Sequence, residues 1–281
     1  MPRTSNSKKN DHSIGNESII LHKKLGGKLG TYSKMSVSTA HDLSLAYTPG
    51  IADVSLAVHA QPKRAFELTL KKNSLAVISD GSKVLGLGNL GAYGANPVME
   101  GKAVLFKELG GIDAFPICLQ TQDTEEIISI IRNIAPVFGA INLEDFVAPK
   151  CFEIESRLQD LGIPVFHDDQ HGTAIVVYAA LLNAAKVVKK DFSSLRVCIN
   201  GAGAAGNAIA KMLLGVGLPK SVRRVKEIII CDSKGIISPS RKDLDEEKKS
   251  LSRITNPKKI SGTLETALVG MDVFVGVSAA H

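Results

Sequence analysis

The sequence contains no tryptophan, and aromatic residues fill only 5% of its 281 positions. Its cores must therefore be aliphatic. The same shortage argues against a nucleic-acid surface, which pairs a basic stripe with interleaved aromatics. Cysteine is equally sparse. Cys118, Cys151, Cys198 and Cys231 lie far apart, none forms C-x-x-C, and each sits in or beside an apolar segment. That pattern predicts reduced, buried thiols in a cytoplasmic protein. Long apolar runs are also missing. TAIVVYAALLNAAKVV falls short of a bilayer span and carries Lys186, so it predicts a buried helix and no membrane partner. The opening MPRTSNSKKNDHSIGN has no apolar h-region. It predicts a short disordered tail over residues 1–16 rather than a signal peptide.

What is present is ordinary for a globular chain: 44% hydrophobic and 22% charged residues, with a formal charge of +6. The lysines come in scattered pairs such as Lys71-Lys72 and Lys189-Lys190, as solvated helix ends and turns do. A mild positive field also suits a small anionic substrate. The length predicts two domains. Residues 17 to about 50 read as helix and then turn. From about residue 63, strand and helix patterns alternate. LAVISD, DAFPICL, GAINLED and IPVFHDD read as strands, separated by three helical patterns. A long helix over 173–188 follows, and a second βαβ pattern begins at RVCINGAGAAGNAIAKMLL. This alternation predicts α/β architecture with parallel sheets. The domains are expected at 17–165 and 166–281.

Two predicted strands end in acid pairs, Glu144-Asp145 and Asp168-Asp169. A right-handed βαβ unit brings both strand ends to one sheet edge, where open α/β sheets place ligands. Carboxylates that converge there repel one another unless a cation or a shared proton intervenes. An oxygen-only donor set favours Mg²⁺ or Mn²⁺ over Zn²⁺. Neighbouring residues on a strand face opposite ways, so not all four can be ligands. The plainer alternative is helix capping by Asp169. His167 and His171 are four apart, but Gly172 reads as the start of the helix, so a zinc helix is not expected.

Two stretches fit G-x-G-x-x-G. GAGAAG (Gly201, Gly203, Gly206, enclosing Ala204 and Ala205) follows a strand and opens a helix. The next strand ends in Asp232, the expected partner of the adenosine ribose hydroxyls. This predicts a dinucleotide site. The charge of Asp232 places NAD slightly ahead of NADP, although Ser233 and Lys234 could meet a 2′-phosphate. GLGNLG (Gly86, Gly88, Gly91) has Asp113 at a tempting spacing, but Asp113 precedes its strand. That stretch reads as a tight turn, near substrate or in plain packing. Tyr47 and Lys102 stand out as single polar residues in bland surroundings. Pattern alone would leave both at the surface.

Together, LAYTPGIA, SDGSKVLGLGNLGAYGANPVMEGKAVLFK, INLEDFVAPKCFEIE, IPVFHDDQHGTA and INGAGAAGNAIA resemble the short bacterial and archaeal malic enzymes, from about residue 18 to 278. The resemblance implies a malic-enzyme-type α/β domain followed by a Rossmann-like dinucleotide-binding domain. It also implies oxidative decarboxylation of malate to pyruvate and CO₂ with NAD or NADP and Mg²⁺ or Mn²⁺, in a homodimer or larger assembly. By position, Tyr47 corresponds to the general acid and Lys102 to the general base. Glu144, Asp145 and Asp169 correspond to the metal ligands. Lys83, Asn89 and Asp168 fall beside substrate or around the metal, and Lys83 replaces an Arg common in relatives, losing its bidentate fork. Relatives continue about a hundred residues past the DVFVGVSA-type strand, so the dinucleotide domain is expected to be incomplete. The alternative expectation is an inactive remnant that keeps only metal binding, nucleotide binding or subunit association.

Overall fold

The computed structural model describes residues 5–278, with side chains from residue 14 onward. Its elements in chain order are α1 (Ser5–Leu25), α2 (Ala40–Ala46), α3 (Ile51–Ala60), α4 (Ala65–Leu68), β1 (Ser74–Ser79), α5 (Gly91–Gly110), β2 (Asp113–Cys118), α6 (Thr124–Ile134), β3 (Ala140–Leu143), α7 (Lys150–Arg157), β4 (Val165–His167) and α8 (Asp168–Val187). Then come β5 (Arg196–Asn200), α9 (Ala204–Leu213), β6 (Glu227–Asp232), β7 (Gly235–Ile236), α10 (Glu246–Ile254), α11 (Leu264–Leu268) and β8 (Val273–Gly276). Two compact units result: residues 1–146 with 156–165, and residues 147–155 with 166–281. Among the described residues no helix is long and apolar enough to cross a membrane.

The first sheet has the order β2-β1-β3-β4. β1 lies between β2 and β3 and runs parallel to both. Every residue of β1 is buried, which is why SLAVIS shows no alternation: a central parallel strand is covered on both faces. Each fully buried Ile or Leu there contributes about 1.5–3 kcal/mol. α5 ends because Gly111 adopts a left-handed φ of 67°. Gly111 N–H then donates to Lys107 O, and Ile112 N–H to Phe106 O, which satisfies the last carbonyls. α6 starts at Asp123, whose carboxylate accepts from Glu126 N–H at 2.9 Å. It buries the stripe Ile127, Ile128 and Ile131.

The second sheet has the order β7-β6-β5-β8, parallel except for the β6–β7 pair. α8 packs on α9, and both join Val197, Ile199, Ile228 and Ile230 in one aliphatic core. Cys198, Ile229, Cys231 and Ala267 form a second cluster. No disulfide joins the four cysteines, and Cys151, Cys198 and Cys231 are buried.

Three features differ from the sequence expectation. Helix α1 covers most of the segment expected as a disordered tail: after Pro2 no proline interrupts it, and the helix of the SIILHKKL run continues back to Ser5; residues 1–4 lie outside the described ones. The segment 147–155 goes with the second unit rather than the first. And α8 begins at Asp168, five residues earlier than expected. Gly172 is inside this helix rather than at its start, so Asp168 and Asp169 form its first turn, where negative charge suits the helix dipole.

Candidate active site

In the first unit the acids follow β3 directly. Glu144 N–H donates to Ile78 O at 2.8 Å, which continues the sheet by one residue and fixes the Glu144 backbone. Asp145 then turns the chain with a left-handed φ of 58°, and its carbonyl accepts from Lys83 N–H at 3.1 Å. Both acids are buried, with 5% and 6% exposure. Burying a carboxylate is costly unless a counter-charge and hydrogen bonds compensate. Here Lys102 of α5 supplies the charge, with Nζ 2.9 Å from Glu144 Oε1. Asn142 Nδ2 donates to Glu144 Oε2 at 2.8 Å. Thus the predicted base and one predicted ligand are in direct contact.

The other predicted residues of this unit have different surroundings. Asn89 and Gln122 exchange two amide hydrogen bonds at 3.0 Å each, and Gln122 Nε2 also donates to Asp80 O. Asn89 therefore ties its turn to the β2–α6 loop. Tyr47 caps the C-terminus of α2 and is 67% exposed. Asp113 opens β2 and is held by Lys107 Nζ at 2.7 Å and Asn73 Nδ2 at 3.1 Å. Its carboxyl pKa is lowered chiefly by the Lys107 bond. It serves packing, and GLGNLG is a turn closed on itself by Val84 N–H to Gly88 O at 2.9 Å.

In the second unit His167 precedes α8 as its N-cap residue, fully buried. Its Nδ1 lies 3.0 Å from Gln170 Nε2, and Gln170 also bonds Glu155 at 2.9 Å. His171 Nε2 pairs with Glu155 Oε1 at 2.6 Å, which raises the His171 pKa. The two histidines thus belong to a polar net with Glu155 and Gln170. Asp168 and Asp169 lie between them on the first turn of α8.

The glycine loop of the second unit runs from β5 to α9. Gly201 has φ 119°, and a Cβ there would come within 2.7–2.8 Å of the Val277 and Ser278 backbone. A Cβ on Gly206 would collide with the Gly201 carbonyl oxygen. Nothing lies within 4 Å of the space a Gly203 side chain would take. Two glycines therefore serve the turn and its packing, and the third leaves open room at a helix N-terminus, where phosphate binds favourably. Ala204 and Ala205 are the first helical residues. Gly201, Gly203, Asp232, Ser233, Lys248 and Ser278 line a cavity of 620 Å³. Asp232 ends β6 as expected, but its charge is compensated. Arg241 grips it at 2.8 and 3.1 Å, and Lys248 Nζ lies 2.9 Å away. Burial pushes this carboxyl up, but Arg241, Lys248 and the Lys234 N–H outweigh it and hold the pKa at about 2.

Sequence reasoning missed Asn142, Gln122, Glu155, Arg241 and Lys248. Asn142 carried a signal, since it lies two residues before Glu144 on a strand and shares its face. The others carried none, because their partners are 15 or more residues away in the chain or are reached through a fold-specific turn.

Comparison with known proteins agrees with this geometry. Residues 27–159 match the family model of the malic enzyme N-terminal domain, and residues 170–281 match that of the malic enzyme NAD binding domain. The chain is 51% identical over 267 residues to a NAD-dependent malic enzyme of Geobacillus stearothermophilus, covering 95% of this chain and 54% of that protein. It is 48% identical to a bifunctional malic/malolactic enzyme of Bacillus subtilis, covering 95% and 64%. It thus spans little more than half to about two-thirds of the length of these relatives. The crystal structure of the NAD-dependent malic enzyme of Thermotoga maritima superposes with a TM-score of 0.87 at 50% identity, covering 93% of this chain and 68% of that one. Two consecutive domain matches and close structural agreement place this chain in the malic enzyme family.

Proposed function

We propose that this chain carries the catalytic centre for oxidative decarboxylation of malate to pyruvate and CO₂, with NAD or NADP as oxidant. The observation that carries the proposal is the Lys102–Glu144 contact at the end of β3. A divalent cation held by Glu144 would draw the carboxylate's charge away from Lys102, and a neutral Lys102 amine there could take the proton of a substrate hydroxyl. Glu144, Asp145 and Asp169 are proposed as the ligands of a divalent cation. Each offers a carboxylate oxygen, and this all-oxygen donor set suits Mg²⁺ or Mn²⁺. The glycine cradle at Gly201–Gly206 suits a dinucleotide pyrophosphate, because a side chain on Gly201 or Gly206 would meet backbone there while Gly203 leaves room. A cation bound there would supply polarisation of the hydroxy acid's oxygens, and a bound nicotinamide would supply the hydride acceptor.

Within that frame Lys102 removes the C2 hydroxyl proton, and Asn142 keeps Glu144 oriented. Tyr47 is proposed to protonate C3 of the product after CO₂ departs. Lys83 and Asp168 are proposed beside substrate and metal, and Asn89 as a support of the loop that carries them. The same proposal includes a homodimer or larger assembly. No residue of α2 or α3 is buried, and Leu43, Leu45 and Leu56 are exposed there. A cytoplasmic location accords with four cysteines that no disulfide joins. The test is malate-dependent reduction of NAD or NADP with Mn²⁺, comparing wild type with Lys102→Met. The expected loss in the variant is about 10²–10⁴-fold. Equal rates in both proteins refute the assigned base, and absence of any malate-dependent reduction in wild type refutes the activity. Light scattering tests the assembly.

A further inference from the structure

The polar net at the start of α8 fixes the place of one proton. Gln170 Nε2 donates to Glu155 Oε2 at 2.9 Å and lies 3.0 Å from His167 Nδ1. A carboxylate only accepts, so the group beside Glu155 is the NH₂ of the Gln170 amide and not its oxygen. That nitrogen brings two hydrogens and accepts none. One hydrogen meets Glu155, and the other points at Nδ1. Nδ1 is therefore the acceptor, and the ring carries its proton on Nε2. Glu155 is itself anchored, since its Oε1 pairs with His171 Nε2 at 2.6 Å. The net is enclosed: His167 has no exposed surface, Gln170 is 6% exposed and the Glu155 side chain 13%. In such surroundings a mismatched tautomer is costly. All four side chains belong to one compact unit.

His167 Nε2 lies 3.7 Å from Asp169 Oδ2. With the proton on Nε2, the ring turns an N–H toward that carboxylate. The other tautomer would turn a lone pair toward it and push it away. We infer that Gln170, oriented by Glu155, is a positioning residue: it locks His167 in the Nε2–H tautomer, and the ring then steadies the Asp169 carboxylate for a divalent cation. Groups that hold a ligating carboxylate from behind set its orientation in this way. The second step deepens the ligand assignment proposed above and rests on it, whereas the tautomer lock stands on the hydrogen bonds alone.

The experiment reads the tautomer by nitrogen NMR of the full chain labelled in its histidine rings, without added metal. The His167 signals are identified by their loss in His167→Asn. Wild type is expected to show Nε2 protonated and Nδ1 bare, and Gln170→Met a mixture of tautomers. Calorimetry then measures Mn²⁺ affinity. Gln170→Met is expected to weaken it about 10–100-fold. In the His167→Asn background no imidazole remains to be locked, so adding Gln170→Met is expected to weaken it no further. A role confined to packing would weaken both backgrounds alike. A wild-type ring protonated on Nδ1, an unchanged tautomer in Gln170→Met, or equal losses of affinity in the two backgrounds overturns the inference while leaving Asp169 a ligand. The wild-type spectrum decides even if Gln170→Met does not fold. Failure of wild type to bind Mn²⁺, with the tautomer as expected, overturns the ligand assignment and with it the role toward Asp169.

Discussion

The three glycines of GAGAAG make separable predictions, because the structure gives each a different neighbour. Gly206→Ala places a methyl group into the Gly201 carbonyl oxygen, which is backbone and cannot swing aside. α9 must shift away from the turn, at a cost of about 1–3 kcal/mol. Gly201→Ala meets the Val277–Ser278 backbone and also forces a side chain onto φ 119°. Strain of about 1–3 kcal/mol adds to the clash, so this variant should be the least stable. Gly203→Ala has φ −83° and open space beside it. Its only structural cost is a poorer N-cap residue, below about 1 kcal/mol. Yet its methyl group occupies the room left for a pyrophosphate. Urea unfolding of the three variants, with NADH titration of each, should therefore rank stability as Gly203→Ala above Gly206→Ala above Gly201→Ala. Gly203→Ala should nonetheless lose nucleotide affinity while staying folded. A Gly203→Ala variant that binds NADH normally, or a Gly206→Ala variant as stable as wild type, would refute this division of roles.

Other outcomes follow from single contacts. Asn142→Ala removes the amide that orients Glu144 Oε2; Mn²⁺ affinity, read by calorimetry, should fall about 10–100-fold, and unchanged affinity would remove Asn142 from the site. Asp272 is held at about 2, first by Lys190 and then by the Arg196 N–H, below its ordinary 3.8. Its contribution to stability is present above pH 3.8 and disappears as pH falls through about 2. Asp272→Asn should thus be less stable than wild type at neutral pH, and the two denaturation midpoints should converge toward pH 2. Lys71 Nζ donates to Ala135 O at 3.0 Å and to Phe138 O at 2.5 Å, closing the end of α6, and burial lowers its pKa. Lys71→Met should leave those buried carbonyls unsatisfied at about 1–3 kcal/mol, measured by thermal melting; a neutral result would mean that water replaces the ammonium.

Much was legible in the residues themselves. The apolar run of β1, the helical pattern between DAFPICL and GAINLED, and the strand–GAGAAG–helix order are local patterns with local causes, so periodicity and turn chemistry sufficed to place them. The start of α8 was not legible. HDDQHG looks like a strand end and loop, yet the acids stabilise the first helical turn and Glu155, from an earlier helix, fixes His171. Lys102 and Tyr47 were inconspicuous by pattern and became candidates only through resemblance.

By itself the sequence determined the α/β alternation, the order of the acid-bearing strands and the glycine turn, because each depends on residues close in the chain. Tertiary structure alone decided that Lys102 faces Glu144, and that Arg241 and Lys248 close over Asp232. A charge along the chain has no fixed counter-charge until folding brings a distant side chain within a few ångströms and excludes the water that would otherwise screen it.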